Sequence, residues 1–223
     1  RRVAGLSERS EKMFIQSIWA LVQALEAKDA FAKKHSEHVT AYARAVAETM
    51  GVGSRVLEVI DHAAMLHDIG KIGVPDAILA KPGPLNRKER LIVQQHPLIA
   101  VKILEKMTFL EKELEIVRHH HEAWNGQGYP DGLAGTSIPL GARILAVADT
   151  LDALTSPRAY RPLRSVSQAV RILLDASGYD FDPAVVEAAM CWIDGVRDQL
   201  DKTTELQPED LRETRPLVAE TTE

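Results

Sequence analysis

The chain has one cysteine, Cys191, among 223 residues. An intrachain disulfide and a cysteine-based zinc site are therefore excluded, and the composition suits a reducing, cytoplasmic setting. A basic excess is also missing. The net charge of -5 and pI near 5.9 lack the electrostatic footprint of a nucleic-acid-binding surface, so no DNA partner is expected. No apolar run approaches the ~18 residues that a membrane-spanning helix needs. The opening "RRVAGLSERSEKM" starts on Arg and carries no apolar signal core. It reads as a piece cut from a longer protein, with an upstream sensor or receiver domain outside it. Strand-like alternation is confined to short stretches, and no internal repeat occurs.

What remains is helical periodicity around a core of ordinary size. "MFIQSIWALVQALEAKDA" places Phe14, Ile18, Leu21 and Leu25 at three- and four-residue steps. "EHVTAYARAVAETMG" stops at Gly51, a C-terminal cap. "SRVLEVIDHAAMLHDIG" is expected to take Ser54 as its N-cap and Gly70 as its C-terminal cap. "KIGVPDAILAKPGPL" is too rich in Gly and Pro for a long helix. "NRKERLIVQQHPLIAVKILEKM" resumes, bent or restarted at Pro97. "EKELEIVRHHHEAW" follows and ends at the loop "NGQGYPDGLAGTSIP". "LGARILAVADTLDALTS" is apolar almost all round and predicts a buried central helix. "SVSQAVRILLDASG" and "DPAVVEAAMCWIDGVRDQL" complete the set, the second capped by Asp182 with Pro183 at its first position. The fold class is all-α, a helical bundle. Residues 1–25 read as an N-terminal helix, packed on its own domain or linking to an upstream one. Residues 26–200 form the domain, and 201–223, charged and Thr-rich, read as a mobile tail.

Eight histidines fall at 35, 38, 62, 67, 96, 119, 120 and 121. In "MLHDIGK", His67 and Asp68 sit at a predicted helix end, where neighbouring side chains about 100° apart can still approach one site. Asp149 lies within the apolar run "ARILAVADTLDAL", where an isolated buried carboxylate is costly unless it is paired or metal-bound. His35, His96, His120 and His121 belong to different helical segments, and bundles build metal sites from ligands that project inward from facing helices. Mixed imidazole and carboxylate ligation suits iron, manganese or zinc better than magnesium or calcium. A His-Asp pair alone says little, a histidine run is often a solvated helix face, and Asp149 could cap a neighbouring helix. His38 and His62 read as surface or satisfied core residues. His119 reads as turned away from the others by helical rotation.

"HDIGKIGVPDAIL", "HHHEAWNGQGYPDGL" and "IPLGARILAVADTLDALTSPRAYR" together resemble the HD-GYP domains, a branch of the HD phosphohydrolase superfamily. The resemblance runs from about Glu26 to about Ile193. It implies a helical domain with a metal centre that hydrolyses cyclic di-GMP to linear pGpG, and more slowly to GMP, through a metal-bridging hydroxide, in bacterial signalling. It further implies that His35, His67, Asp68 and Asp149 hold one metal, and that Asp68 bridges to a second held by His96, His120 and His121. The expected ions are two divalent transition metals, iron or manganese first, with zinc, nickel or cobalt as alternatives. Lys71 matches the family lysine near the scissile phosphate. Arg158 and Arg161 match basic positions that contact substrate phosphates, and Tyr129 belongs to the Gly128–Pro130 loop beside the substrate pocket.

Three departures bear on these expectations. Phe31 stands where members with a third metal carry a glutamate, so a binuclear site is expected. Lys34 replaces the usual glycine before the first histidine. Asn125 stands where aspartate is common in the loop, a change expected to touch partner docking more than chemistry. Two other readings are a catalytically weak cyclic-dinucleotide receptor or docking module for a diguanylate cyclase, and a hydrolase of another cyclic dinucleotide. The N-terminal helix is in addition a candidate homodimer contact.

Overall fold

A computed structural model of the chain describes residues 2–26, 34–156 and 164–200. Among these lie ten α-helices: α1 (Arg2–Glu26), α2 (His35–Thr49), α3 (Ser54–Leu66), α4 (Asp76–Leu79), α5 (Arg87–Val93), α6 (His96–Leu104), α7 (Glu111–His119), α8 (Leu140–Thr155), α9 (Val166–Asp175) and α10 (Pro183–Leu200). The only β feature among the described residues is an isolated bridge between Ser177 and Phe181. The all-helical expectation holds. The segment expected to be a mobile tail, 201–223, lies outside the described residues.

The core forms because each amphipathic helix hides one stripe from water. α8 is central and packs on α2, α7, α9 and α10. Its Ile144, Leu145, Val147 and Ala148 are almost wholly buried, as its nearly continuous apolar sequence predicts. Ile18 and Val22 of α1 join the same core. Glu26 at the end of α1 then accepts hydrogen bonds from the Ser36 amide (2.8 Å) and hydroxyl (2.5 Å). That satisfies one of the free amides at the buried start of α2, to which Lys34 offers no side-chain cap.

Several helix boundaries differ from the sequence reading, each for a local reason. Gly53, not Ser54, is the N-cap of α3, and Ser54 is its first helical residue. α3 also ends earlier than expected, with His67 as its C-cap. Gly70 is therefore no cap. It lies in a 3-10 turn, Ile69–Gly73, that packs directly on α6. A Cβ at Gly70 would collide with the His96 carbonyl oxygen and sit 2.7 Å from the Ala100 nitrogen. The α5–α6 break falls at 94–95, just before His96, with Pro97 in the first turn of α6, where its missing N–H costs nothing. Gly51 (φ 73°) follows α2 as expected. Asp182 caps α10, its Oδ1 accepting from the Ala184 amide at 2.9 Å, while its Oδ2 binds Arg143 of α8 at 2.5 Å.

Candidate metal centre

The residues singled out above come from five places in the chain and meet in one cluster. Ligand-capable atoms of His35, His67 and Asp149 lie within 4.8 Å of one another, as do those of His96, His120 and His121. Asp68 lies between the two groups. Its Oδ1 is 3.4 Å from His96 Nε2, and its Oδ2 is 3.5 Å from both His35 Nε2 and His67 Nε2. His35 Nε2 is also 3.5 Å from Asp149 Oδ1.

Three of these imidazoles are oriented by one local device. His67 follows α3, His120 follows α7, and His96 comes three residues after α5. The last four carbonyls of a helix have no intrahelical donor. Each histidine gives its Nδ1–H to one of them: His67 to Ala64 O at 2.7 Å, His96 to Val93 O at 2.8 Å and His120 to Val117 O at 2.7 Å. Nε2 is then left as a lone-pair acceptor facing the cluster. His67 Nε2 is buried and has no hydrogen-bond partner. An orphaned nitrogen among carboxylates and imidazoles is the environment a divalent cation satisfies, so the residues present fit a metal. The negative ends of the α3 and α7 dipoles favour a cation at the same place.

His35 is built differently. It is the first residue of α2, as His96 is of α6, but its ring is not turned to the carbonyl of a preceding described helix. Its Nδ1 instead meets Asp152 Oδ2 at 2.6 Å. The other oxygen of Asp152 is 3.0 Å from His38 Nδ1 and 2.6 Å from the Ser156 hydroxyl, which donates to it. Asp152 is absent from the sequence-based site. The available signal was a second carboxylate one helical turn after Asp149, on a helix otherwise apolar. Asp149 is half-buried and paired with His35 as expected, its side chain 22% exposed, while Asp152 is buried more deeply at 2%. The deeply buried carboxylate of α8 is the one that faces His38 and the His35 Nδ1. His38, read from sequence as surface or satisfied core, is tied into this knot.

The electrostatics follow the same division. Burial lowers the His121 pKa to about 4 and holds His120 well below its usual value, so both are neutral near pH 7. Burial also pulls His35 down, but its bonds to Asp152 and Asp68 and the field of Asp149 outweigh it and raise it to about 10. Burial pushes the Asp68 carboxyl up. The Lys71 ammonium, 2.5 Å from Oδ2, and the neighbouring His67 hold it well below the carboxylate range.

The glycine-rich loop is clamped next to this cluster. Tyr129 stacks on His121 with ring centroids 4.9 Å apart and planes 29° apart, and its peptide bond to Pro130 is cis. A Cβ at Gly128 would collide with the Ala123 amide and lie 2.5 Å from Glu122 Cα, so only glycine brings the loop this close. Arg118 grips Asp131 through two bonds of 2.7 and 2.8 Å, and His119 Nε2 lies 2.9 Å from the same carboxylate. His119 thus points away from the cluster, as helical rotation predicts, and serves the loop. His119, Glu122 and Asp131 also lie within metal-ligand reach of one another. Arg118 already neutralises Asp131, and Glu122 Oε1 accepts the amides of Asp131 and Gly132 at 2.7 and 3.1 Å, which makes this group a clamp. Asn125 Oδ1 accepts from the Gln127 amide at 2.8 Å, a bond an aspartate would also make. His62 stands apart, with Nδ1 3.5 Å from Glu113 Oε1. Phe31, Arg158 and Arg161 lie outside the described residues.

A family model for the HD domain matches residues 20–185. The chain belongs to the HD domain family. Similar curated proteins are cyclic-dinucleotide phosphodiesterases. The chain is 38% identical over 192 residues to the cyclic di-GMP phosphodiesterase response regulator RpfG of Xanthomonas campestris pv. campestris, covering 85% of this chain and 50% of that protein. It is 37% identical over 187 residues to the 3'3'-cGAMP-specific phosphodiesterase 2 of Vibrio cholerae, covering 83% of this chain and 35% of that protein. This HD domain chain therefore spans half or less of the length of these relatives. Its fold also matches the crystal structure of a cyclic GMP-AMP specific phosphodiesterase of V. cholerae, with a TM-score of 0.67 and 17% identity over 89% of this chain and 52% of that one. No described helix is long and apolar enough to cross a membrane.

Proposed function

We propose that this domain is a metal-dependent phosphodiesterase of the HD-GYP type, acting on cyclic di-GMP and releasing linear pGpG, with slower cleavage to GMP. The observation that carries the reading is the placement of Asp68, whose two oxygens face two different sets of imidazoles. His35, His67 and Asp149 would hold one divalent ion, His96, His120 and His121 a second, and Asp68 would serve both. Phe31 cannot ligate a third. Iron or manganese fits this mixed nitrogen and oxygen donor set. Bound divalent ions supply Lewis acidity there, activating a water and neutralising phosphoryl charge.

The chain's own residues supply the rest. Lys71 stands beside Asp68, where its ammonium can hold a phosphoryl oxygen. The attacking water gives up a proton to solvent as it adds to phosphorus in line; the bond to the ribose oxygen breaks, that oxygen takes a proton from Lys71, and the lysine regains one from solvent. Tyr129, flat against His121, offers a ring face at the edge of the cluster. Arg158 and Arg161 would grip the phosphates through planar guanidinium forks. The similarity to cGAMP-specific phosphodiesterases supports a second reading, a mixed purine cyclic dinucleotide as substrate.

A substrate panel separates the two. Protein loaded with Mn²⁺, or with Fe²⁺ without air, is incubated with cyclic di-GMP and with 3'3'-cGAMP, and the products are resolved by chromatography. Faster conversion of cyclic di-GMP to pGpG is the expected result. Preference for 3'3'-cGAMP would establish the second reading, and tight binding without conversion would make the domain a receptor.

A further inference from the structure

His67, His96 and His120 each find a helix-end carbonyl for Nδ1 within three residues of themselves. His35, the first residue of α2, turns its Nδ1 to a side chain instead. That side chain lies 117 residues away on α8. Asp152 is almost wholly buried and receives His35, His38 and the Ser156 hydroxyl together. Three contacts from two helices hold the carboxylate in one orientation, and Ser156 also gives its amide to the Asp152 carbonyl at 2.8 Å. The carboxylate is too deep, and its oxygens too fully engaged, to serve as a ligand in its own right.

We propose that Asp152 is a positioning residue for the metal centre: it accepts a hydrogen bond from the Nδ1–H of His35, so that Nε2 carries the lone pair toward Asp68 and Asp149. This rests on the reading of His35 as a metal ligand. A buried carboxylate behind a ligating imidazole fixes its tautomer and raises its basicity, and losing such a partner typically weakens metal binding about 10- to 100-fold. The effect belongs to one metal only, because Asp152 contacts His35 alone among the ligands, while His96 and His120 are oriented by backbone carbonyls. His38 and Ser156 act one step further out, holding Asp152 and touching neither group of ligands.

The test is a calorimetric titration of Mn²⁺ into metal-stripped full-length protein, with melting temperatures taken on the same stripped samples. Wild-type protein should take up two equivalents. Asp152→Asn, which keeps the shape but cannot accept from both imidazoles, should weaken one equivalent about 10- to 100-fold and leave the other unchanged. His38→Gln, which leaves the His35–Asp152 contact in place, should cause a much smaller fall, confined to the same equivalent. Where Asp152→Asn folds poorly, Ser156→Ala should give a smaller fall confined to the same equivalent. Wild-type protein that takes up no Mn²⁺ would overturn the metal reading and this proposal with it. Two tight equivalents in both wild type and Asp152→Asn would overturn the role of Asp152 alone. So would loss of both equivalents in step with a lower melting temperature, or a fall in His38→Gln as large as in Asp152→Asn.

Discussion

The two sides of the centre orient their histidines by different means. On the His96 and His120 side the orienting acceptors are carbonyls that a helix leaves unpaired at its C-terminal end, and His67 uses the same device. On the other side His35 opens α2, and its Nδ1 meets a side chain from α8. Carboxylates flank the ring there, Asp149 toward the cluster and Asp152 behind the imidazole. A histidine just after a helix is thus oriented by its own neighbourhood. His96 and His35 both open helices, but His96 reaches back to the carbonyl that ends α5, whereas His35 takes a tertiary partner and its geometry depends on the packing of α2 against α8.

That comparison can be broken in order of expected effect. Asp68→Ala touches both sides, and should lower phosphodiesterase activity by at least ~10³-fold, beyond the range for outer partners. Elemental analysis should show both metals lost; two metals retained per chain would mean that the carboxylate serves neither. Gly70→Ala acts on the His96 side through backbone, forcing the turn off α6 at the His96 carbonyl. It should cost about 3 kcal/mol by denaturant unfolding, the upper range for overpacking. An unchanged midpoint would show that the two segments separate easily.

Smaller effects come from the periphery. The bonds from Arg118, with His119 beside the carboxylate, outweigh a slight desolvation and lower the Asp131 pKa to about 2, below the ordinary 3.8. A carboxyl depressed on folding stabilises above its unfolded value, and that contribution is lost as pH falls from about 4 to about 2. Asp131 is exposed, so solvent screening keeps the effect at about 1 kcal/mol or less. The stability difference between wild type and Asp131→Asn should therefore vanish across that window in pH-dependent melting curves. A difference that persists at pH 2 would mean that the clamp does not depend on charge. Last, Lys34 holds φ 67°, a left-handed conformation that suits the glycine usual at this position. Lys34→Gly should raise stability by about 0.5–1 kcal/mol, read from thermal unfolding. Destabilisation would show that the lysine side chain contributes more than its backbone costs.

The same comparison explains what could be read from the sequence. Helix stripes, the gathering of His35, His67, Asp68, His96, His120, His121 and Asp149, and the turning away of His119 all follow from periodicity, local order and family resemblance. Asp152 escaped because its partners are 117 and 114 residues distant, and nothing local separates it from Asp149. The sequence reading consequently found the carboxylate of α8 that faces the cluster and missed the one behind His35. Gly70 was misread for a similar reason. A glycine near a helix end looks like a cap, and only the approach of α6 reveals that its missing side chain makes room for another backbone.

The most direct measurement is anomalous diffraction from crystals of the protein grown with Mn²⁺. Two peaks per chain are predicted, one among His35, His67 and Asp149 and one among His96, His120 and His121, with Asp68 reaching both. A single peak, or none at full Mn²⁺ loading, would contradict the account.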